Sequence, residues 1–329
     1  MENQSTIENV PIPKMSKERK IKRKSPKVKG PKLKPFRKNW DLYLLIFPVL
    51  IYFIVFKYIP MYGVQIAFKD FIAVEGILGS PWVGFEHFER FFDSFYFERL
   101  ISNTLLIGLY ELAVGFPIPI ILALLINEVR NKYFKSFIQT ITYAPHFLSV
   151  VVVVGMMFLL LSPQTGIVNQ IIVLFGGEPI SFMTEPGWFK TLYVFSGIWQ
   201  NMGWSSIIYL AALSAVDPQL HEAAEIDGAS RLQRIWHINL PSIKPTIIIM
   251  LILQCGSILG VGFEKVFLMQ NSLNMSASDV ISTHVYRTGI LGSEYSYSAA
   301  IGLFESVVNL VILLLVNYTA RKVNKVSLW

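Results

Sequence analysis

The sequence predicts an all-α integral membrane protein with six transmembrane helices and both termini in the cytoplasm. Three observations carry that reading. Of its 329 residues 53% are hydrophobic and 14% aromatic, and only 16% are charged, against about 25% in an average soluble domain. Six apolar stretches each come near the roughly 20 residues that a bilayer requires. Lysine and arginine are divided very unevenly between the segments that join them. Lipid offers no partner to backbone N–H and C=O groups, so each stretch must satisfy them internally, as helix.

The stretches are residues 42–58, 101–126, 137–161, 191–216, 246–268 and 299–320. The first is interrupted late by Lys57, whose stem can run along the apolar layer while its charge reaches water. Residues 1–40 read as a disordered basic tail, with 13 basic residues between Lys14 and Lys38 and several prolines and glycines. Such a segment buries too little apolar surface to fold and suits contact with anionic lipid headgroups. Nucleic acid is the other ligand of a basic run, but no nucleic-acid-binding fold accompanies it. No cleavable leader is expected, because the first apolar stretch starts near residue 42 and no small-residue cleavage pattern follows.

Charge sets the orientation. With the N-terminus inside, segments 1–41, 127–136, 217–245 and 321–329 hold 22 Lys and Arg, against 5 in segments 59–100, 162–190 and 269–298. Without the tail the ratio is still 9 to 5. The positive-inside rule therefore puts 217–245 in the cytoplasm. On the outer side, Phe85 to Phe92 interleaves rings and charges as an interfacial amphipathic helix does. Segment 269–298, with Asn271, Asn274, Asp279, Tyr295 and Tyr297, reads as a solvated connection. The single Cys255 lies in an apolar run, which excludes a disulfide framework and a cysteine metal site.

Residues 221–241, HEAAEIDGASRLQRIWHINLP, stand apart as a charged element between two apolar runs. Asp217 suits a helix N-cap and Pro218 the first helical position. Glu222, Ala223, Ala224 and Glu225 are good helix residues, with acids near the positive end of the dipole. Gly228 can adopt the left-handed conformation that stops a helix. A second short helix is expected from Ala229 to about Asn239, ended by Pro241. The product would be two short helices joined by a sharp bend.

This element resembles the EAA loop of permease subunits of ATP-binding-cassette importers, the type I permease fold. The pattern stands here as Glu222-Ala223-Ala224, Asp227-Gly228-Ala229 and Ile238-Asn239-Leu240-Pro241, with the usual aromatic displaced by one to Trp236. Residues 43–48, 57–63, 144–149 and 162–169 look like the branch that imports oligosaccharides and polysaccharide fragments. The resemblance implies a second, similar permease subunit, two ATP-binding subunits on the cytoplasmic face and an external solute-binding protein that delivers an oligosaccharide and that segment 269–298 is placed to meet. It implies no cofactor on this chain, with ATP and Mg held by the partner ATPase. The chain also lacks a Gly-x-x-x-x-Gly-Lys-Ser/Thr loop to cradle phosphates.

By the same resemblance Glu222 pairs with a basic ATPase residue, and Ala223 and Ala224 allow close helix approach. Asp227, Gly228 and Ala229 form the bend, and Leu240 and Pro241 set the exit into the fifth span. No catalytic and no metal-ligating residue is expected. Polar residues inside membrane segments are functional candidates, with helix-to-helix bonding as the competing role. Here these are Glu111, Gln200, Asn201, Gln254, Glu305 and Asn309. Trp199 and Trp204 flank the amides, and sugar recognition uses amides beside flat rings. His146 has no second ligand at helical spacing, so Pro145-His146 reads as shaping a helix entry.

Three other functions compete. The cargo of such a permease can be a peptide, amino acid or oxyanion. A proton-coupled secondary transporter would use Glu111 and Glu305 as relays, but the chain shows no inverted second half. A membrane enzyme has no Ser-His-Asp spacing, H-E-x-x-H or paired-acid motif to support it.

Overall fold

A computed structural model of the chain describes residues 40–329. The basic tail expected at residues 1–40 lies outside the described residues except for Trp40. All regular structure among the described residues is helical, apart from one isolated bridge between Lys69 and Trp82. The chain divides at Ile59 into two units. The first carries α1, Trp40–Phe53, which buries none of its side chains within that unit. A protein helix that is apolar all round and uncovered belongs in lipid or against a partner.

The second unit, Pro60–Trp329, holds the rest. Its principal helices are α2 (Phe97–Glu128), α3 (Lys132–Tyr143), α4 (Val150–Leu160), α5 (Pro186–Ser214), α6 (Pro218–Ile226), α7 (Arg231–Cys255), α8 (Phe263–Met269) and α9 (Tyr295–Asn324). The helix of the first unit, with α2, α7 and α9, is long and apolar enough to cross a membrane. At about 1.5 Å per residue α5 is also long enough. Ser196, Gln200, Asn201, Ser205 and Ser206 dilute its apolar surface.

Two expected spans take other shapes. The third, 137–161, is broken: α3 and α4 meet at 101°. Pro145 sits in a 3-10 turn, and Ser149 in extended backbone caps α4 by accepting from Val152 N–H at 3.3 Å. The fifth, 246–268, is displaced: α7 begins at Arg231 and ends at Cys255, and α8 is separate. Gly256, Gly260 and Gly262 occupy the break, where the chain makes successive short turn bonds.

Prolines explain three wide turns. A proline has no N–H for the carbonyl four residues back, and its ring presses on that carbonyl. In each case the preceding residue donates instead to the carbonyl five back, in a π turn: Ile59 to Ile54 before Pro60, Phe116 to Glu111 before Pro117, and Leu240 to Ile235 before Pro241. The helix thus continues past the proline. For this reason Pro241 does not end a second short helix as expected; the helix that starts at Arg231 runs on into α7.

α5 is the central strut. Ile120, Ala123 and Leu124 of α2 pack with Tyr209 and Leu213 of α5 and Ile243 of α7. A second cluster joins Ile107 of α2, Val153 and Met157 of α4, and Phe189 and Tyr193 of α5. Close approach matters at Gly203, where an added Cβ would lie 2.1 Å from the Thr142 carbonyl oxygen. Phe91, Leu100, Ile281, Tyr297 and Ile301 form a third cluster, and Phe91 belongs to the helix Glu86–Phe92.

Segment 269–298 is folded rather than solvated. Asp279 is fully buried and accepts from Arg99 at 2.9 Å and from Arg287. Asn274 donates to the carbonyls of Met183 at 2.9 Å and Met269 at 3.0 Å. Burial without these partners would be costly for both residues.

Candidate functional site

Two regions bring the expected residues together. The first is the segment between α5 and α7. Asp217 caps α6 through Gln219 N–H at 3.0 Å, with Pro218 at the first helical position. α6 ends in a Schellman arrangement: Gly228 N–H donates to Glu225 O at 3.1 Å and Ala229 N–H to Ala224 O at 2.9 Å. The bend needs φ +76° at Gly228, a value that opposes any side chain. Ser230 and Gln233 then form a capping box that starts α7.

No residue of α6 is buried. Glu222, Ala223 and Asp227 are exposed, Ala224 and Ala229 half-buried. Around them Leu220, Ile226, Leu232 and Trp236 are also exposed, Ile226 to 87%. Apolar side chains gathered about a short charged helix make a surface suited to a protein partner. Among the described residues one ion pair ties α6 to the rest, from Glu225 to the buried Arg234 of α7. The Arg234 guanidinium, bonded to Glu225, holds that carboxyl below the usual carboxylate range. Leu240 and Pro241 lie inside α7, where the π turn admits the proline.

The second region is a pair of cavities between α2, α5, α7 and α8. They share Glu111, Gly197 and Asn201. The larger, about 320 Å³, adds Tyr193, Gln200, Phe263, Glu264 and Lys265. The smaller, about 120 Å³, adds Met202, Ser205, Tyr209 and Gln254. Glu111 stands at the start of the π turn before Pro117. Gln200 donates to the Leu148 carbonyl at 2.9 Å, and Asn201 Oδ1 lies 2.9 Å from His146 Nδ1. The His146 ring stacks on Trp204, centroids 4.5 Å apart and planes within 7°. The broken third span is therefore held against α5 by His146 and Leu148.

Of the expected pathway residues, Glu111, Gln200, Asn201 and Gln254 line these cavities. Trp199, Trp204, Glu305 and Asn309 do not. Asn309 has a packing role, accepting from Leu259 N–H at 3.1 Å where the chain leaves α7. Tyr193 and Lys265 line the larger cavity and were missed. Lys265 was legible as an ionisable residue inside an apolar run, which marks a functional candidate by itself. Tyr193 carried no signal, because nothing in sequence places it beside Lys265.

Residues 115–325 match the model of the family described as binding-protein-dependent transport system inner membrane component. The chain is 50% identical to the polygalacturonan/rhamnogalacturonan transport system permease protein YteP of Bacillus subtilis (strain 168), over 85% of this chain and 88% of that one. It is 48% identical to the protein LplB of the same organism, over 89% and 92%. A solved bacterial alginate transporter in complex with an alginate pentasaccharide-bound periplasmic protein is similar in fold, with a TM-score of 0.82. Identity to it is 43%, over 89% of this chain and 98% of that chain.

Proposed function

The chain belongs to the family of inner membrane components of binding-protein-dependent transport systems, and on that premise we propose how it works and what it carries. It is a multi-pass membrane permease of an ATP-binding-cassette importer, not an enzyme. The proposed cargo is an oligosaccharide. The relatives named for polygalacturonan, rhamnogalacturonan and alginate support that choice, as do the amides and carboxylates around the two cavities.

One observation carries the coupling mechanism: α6 is a helix with no buried residue, stopped by Gly228 and braced to a membrane helix by Glu225 and Arg234. It faces the cytoplasm in a six-span arrangement with both termini inside, in a prokaryotic cell membrane. Glu222 meets a basic residue of an ATP-binding subunit there, and Ala223 and Ala224 let the surfaces close. When ATP draws two such subunits together, α6 is carried with them, and α7 moves because Arg234 is bonded to α6. The cavities then open to the other side. ATP and Mg sit on the ATP-binding subunits, and this chain binds no cofactor. A second, similar permease completes the pathway, and an external binding protein delivers the sugar.

The experiment is co-purification from gently solubilised membranes, with ATP hydrolysis followed with and without binding protein and oligosaccharide. Recovery of a second permease and an ATPase, with sugar-stimulated hydrolysis, is the expected result. A chain that elutes alone, where comparable complexes survive, would remove the proposal.

A further inference from the structure

Lys265 is 8% exposed and lines the larger cavity. Its Nζ donates to the Tyr193 carbonyl at 2.7 Å and lies 4.6 Å from the centroid of the Tyr193 ring. Tyr193 is itself fixed, its hydroxyl accepting from Gly262 N–H at 3.1 Å. Gly197 lies opposite, and a Cβ there would be 3.2 Å from Nζ. The ammonium is thus held in one place with room before it.

Its bonding is incomplete. An ammonium has three protons and no acceptor; one proton goes to a carbonyl, and the ring takes the charge on one side. Among the described residues no carboxylate comes within 4.0 Å of Nζ. Glu111 and Glu264 line the same cavity but stand farther off. A buried cation that lacks a bonded anion is costly, and one that faces a cavity is a candidate for binding an ion or a substrate.

We propose that Lys265 is the residue that reads the cargo's charge: it binds a sugar-ring carboxylate in the larger cavity, and the oligosaccharide carried is a uronate. The inference rests on the importer reading above. Glu111 and Glu264 repel a carboxylate and so confine it to the Lys265 side, while their oxygens accept sugar hydroxyls. A neutral sugar gives the ammonium only hydroxyl oxygens, a weaker partner than a carboxylate.

The test uses the whole importer complex, purified without binding protein so that the latter's selectivity does not enter. The probes are α-1,4-linked trigalacturonate and the same trisaccharide with its carboxyls reduced to alcohols. The wild-type complex is expected to bind the acidic probe at least about tenfold more tightly, the scale of one charge-assisted hydrogen bond. Lys265→Met brings that ratio to about one, chiefly by loss of affinity for the acidic probe with a much smaller loss for the neutral one, and Lys265→Arg keeps the preference. A purely structural lysine would change both affinities together. Equal wild-type binding of the two probes, or a preference that survives Lys265→Met, overturns the proposal and leaves the importer reading standing. If neither probe binds and neither stimulates ATP hydrolysis once binding protein is added, the carbohydrate reading falls with it.

Discussion

Asn239, fully buried on the π turn of α7, donates its side-chain amide to Glu128 Oε1 at 3.2 Å. Glu128 is the last residue of α2. The closing motif of the 217–241 segment is thereby fastened to the helix that carries Glu111 into the cavities. With the Glu225–Arg234 pair, a continuous set of side-chain bonds and helices leads from α6 to the two cavities.

Asn239→Ala tests the inner link. The half-buried Glu128 carboxylate loses a donor, a change expected to destabilise the unit by about 1 kcal/mol. Transport per ATP hydrolysed should fall severalfold while the protein still inserts. Uptake and hydrolysis measured on the same proteoliposomes give the ratio, and an unchanged ratio counts against this link.

The outer link is tested by exchanging charges. Glu225→Arg and Arg234→Glu singly should lower transport per ATP, and the double variant should recover it. Arg234 holds the Glu225 carboxyl below its ordinary value near 4.5. A depressed carboxylate keeps its contribution above that ordinary value and loses it only as pH falls through the lowered one. Coupling between about pH 8 and pH 5 should therefore show no step from this pair.

Gly228 holds φ +76° with nothing near the position of a Cβ. Gly228→Ala meets only backbone strain, about 1 kcal/mol, and should reduce transport moderately. Gly228→Pro cannot adopt positive φ and also removes the N–H that bonds Glu225 O at 3.1 Å. It should abolish uptake without affecting insertion, read by transport assay beside membrane immunodetection. Normal uptake by the proline variant would discard the coupling role of the bend.

At Gly203 the obstacle is contact. A Cβ 2.1 Å from the Thr142 oxygen must push α5 away from α3. Gly203→Ala should cost about 1–3 kcal/mol, as overpacking does, and Gly203→Val more. Less folded protein in the membrane and a lowered melting temperature are the readouts, and a variant as stable as wild type would mean that α3 yields freely.

His284 gives the pH dependence. Burial between the rings of Tyr96 and Tyr297 pushes its imidazole below the ordinary 6.5; Asp279 and Glu294 pull it back up, while Arg287 and Arg99 lower it further. The unfolded chain then takes up a proton that the folded one refuses, so stability falls as pH drops below about 6.5 toward the lowered value. His284→Phe should flatten that part of the profile. Melting temperatures at a series of pH values decide it, and an unaltered slope in the variant refutes the assignment.

The bend at Gly228, the cap at Asp217 and the long apolar helices were all legible, because each depends on residues within a turn or two of one another. Glu111, Gln200, Asn201 and Gln254 were legible as polar residues in apolar surroundings. What a sequence cannot say is which of them share a cavity. Trp199 stands next to Gln200 in the chain yet lines neither cavity. Lys265 stands 72 residues from Tyr193 and is bonded to it.

Sequence by itself determined the all-helical membrane character, the family-bearing segment and its two caps, since hydropathy, charge and capping are local properties. Tertiary structure alone decided how the prolines are carried, where the third span breaks, and what completes each buried polar group. A proline's missing N–H can end a helix or widen one turn, and packing on both sides chooses between them. For Pro241 it chose the wide turn, which makes α7 one lever from Arg234 to Cys255 instead of a hinge. The position of Lys265, with its charge facing a cavity, follows from the break after Cys255, which only the folded chain reveals.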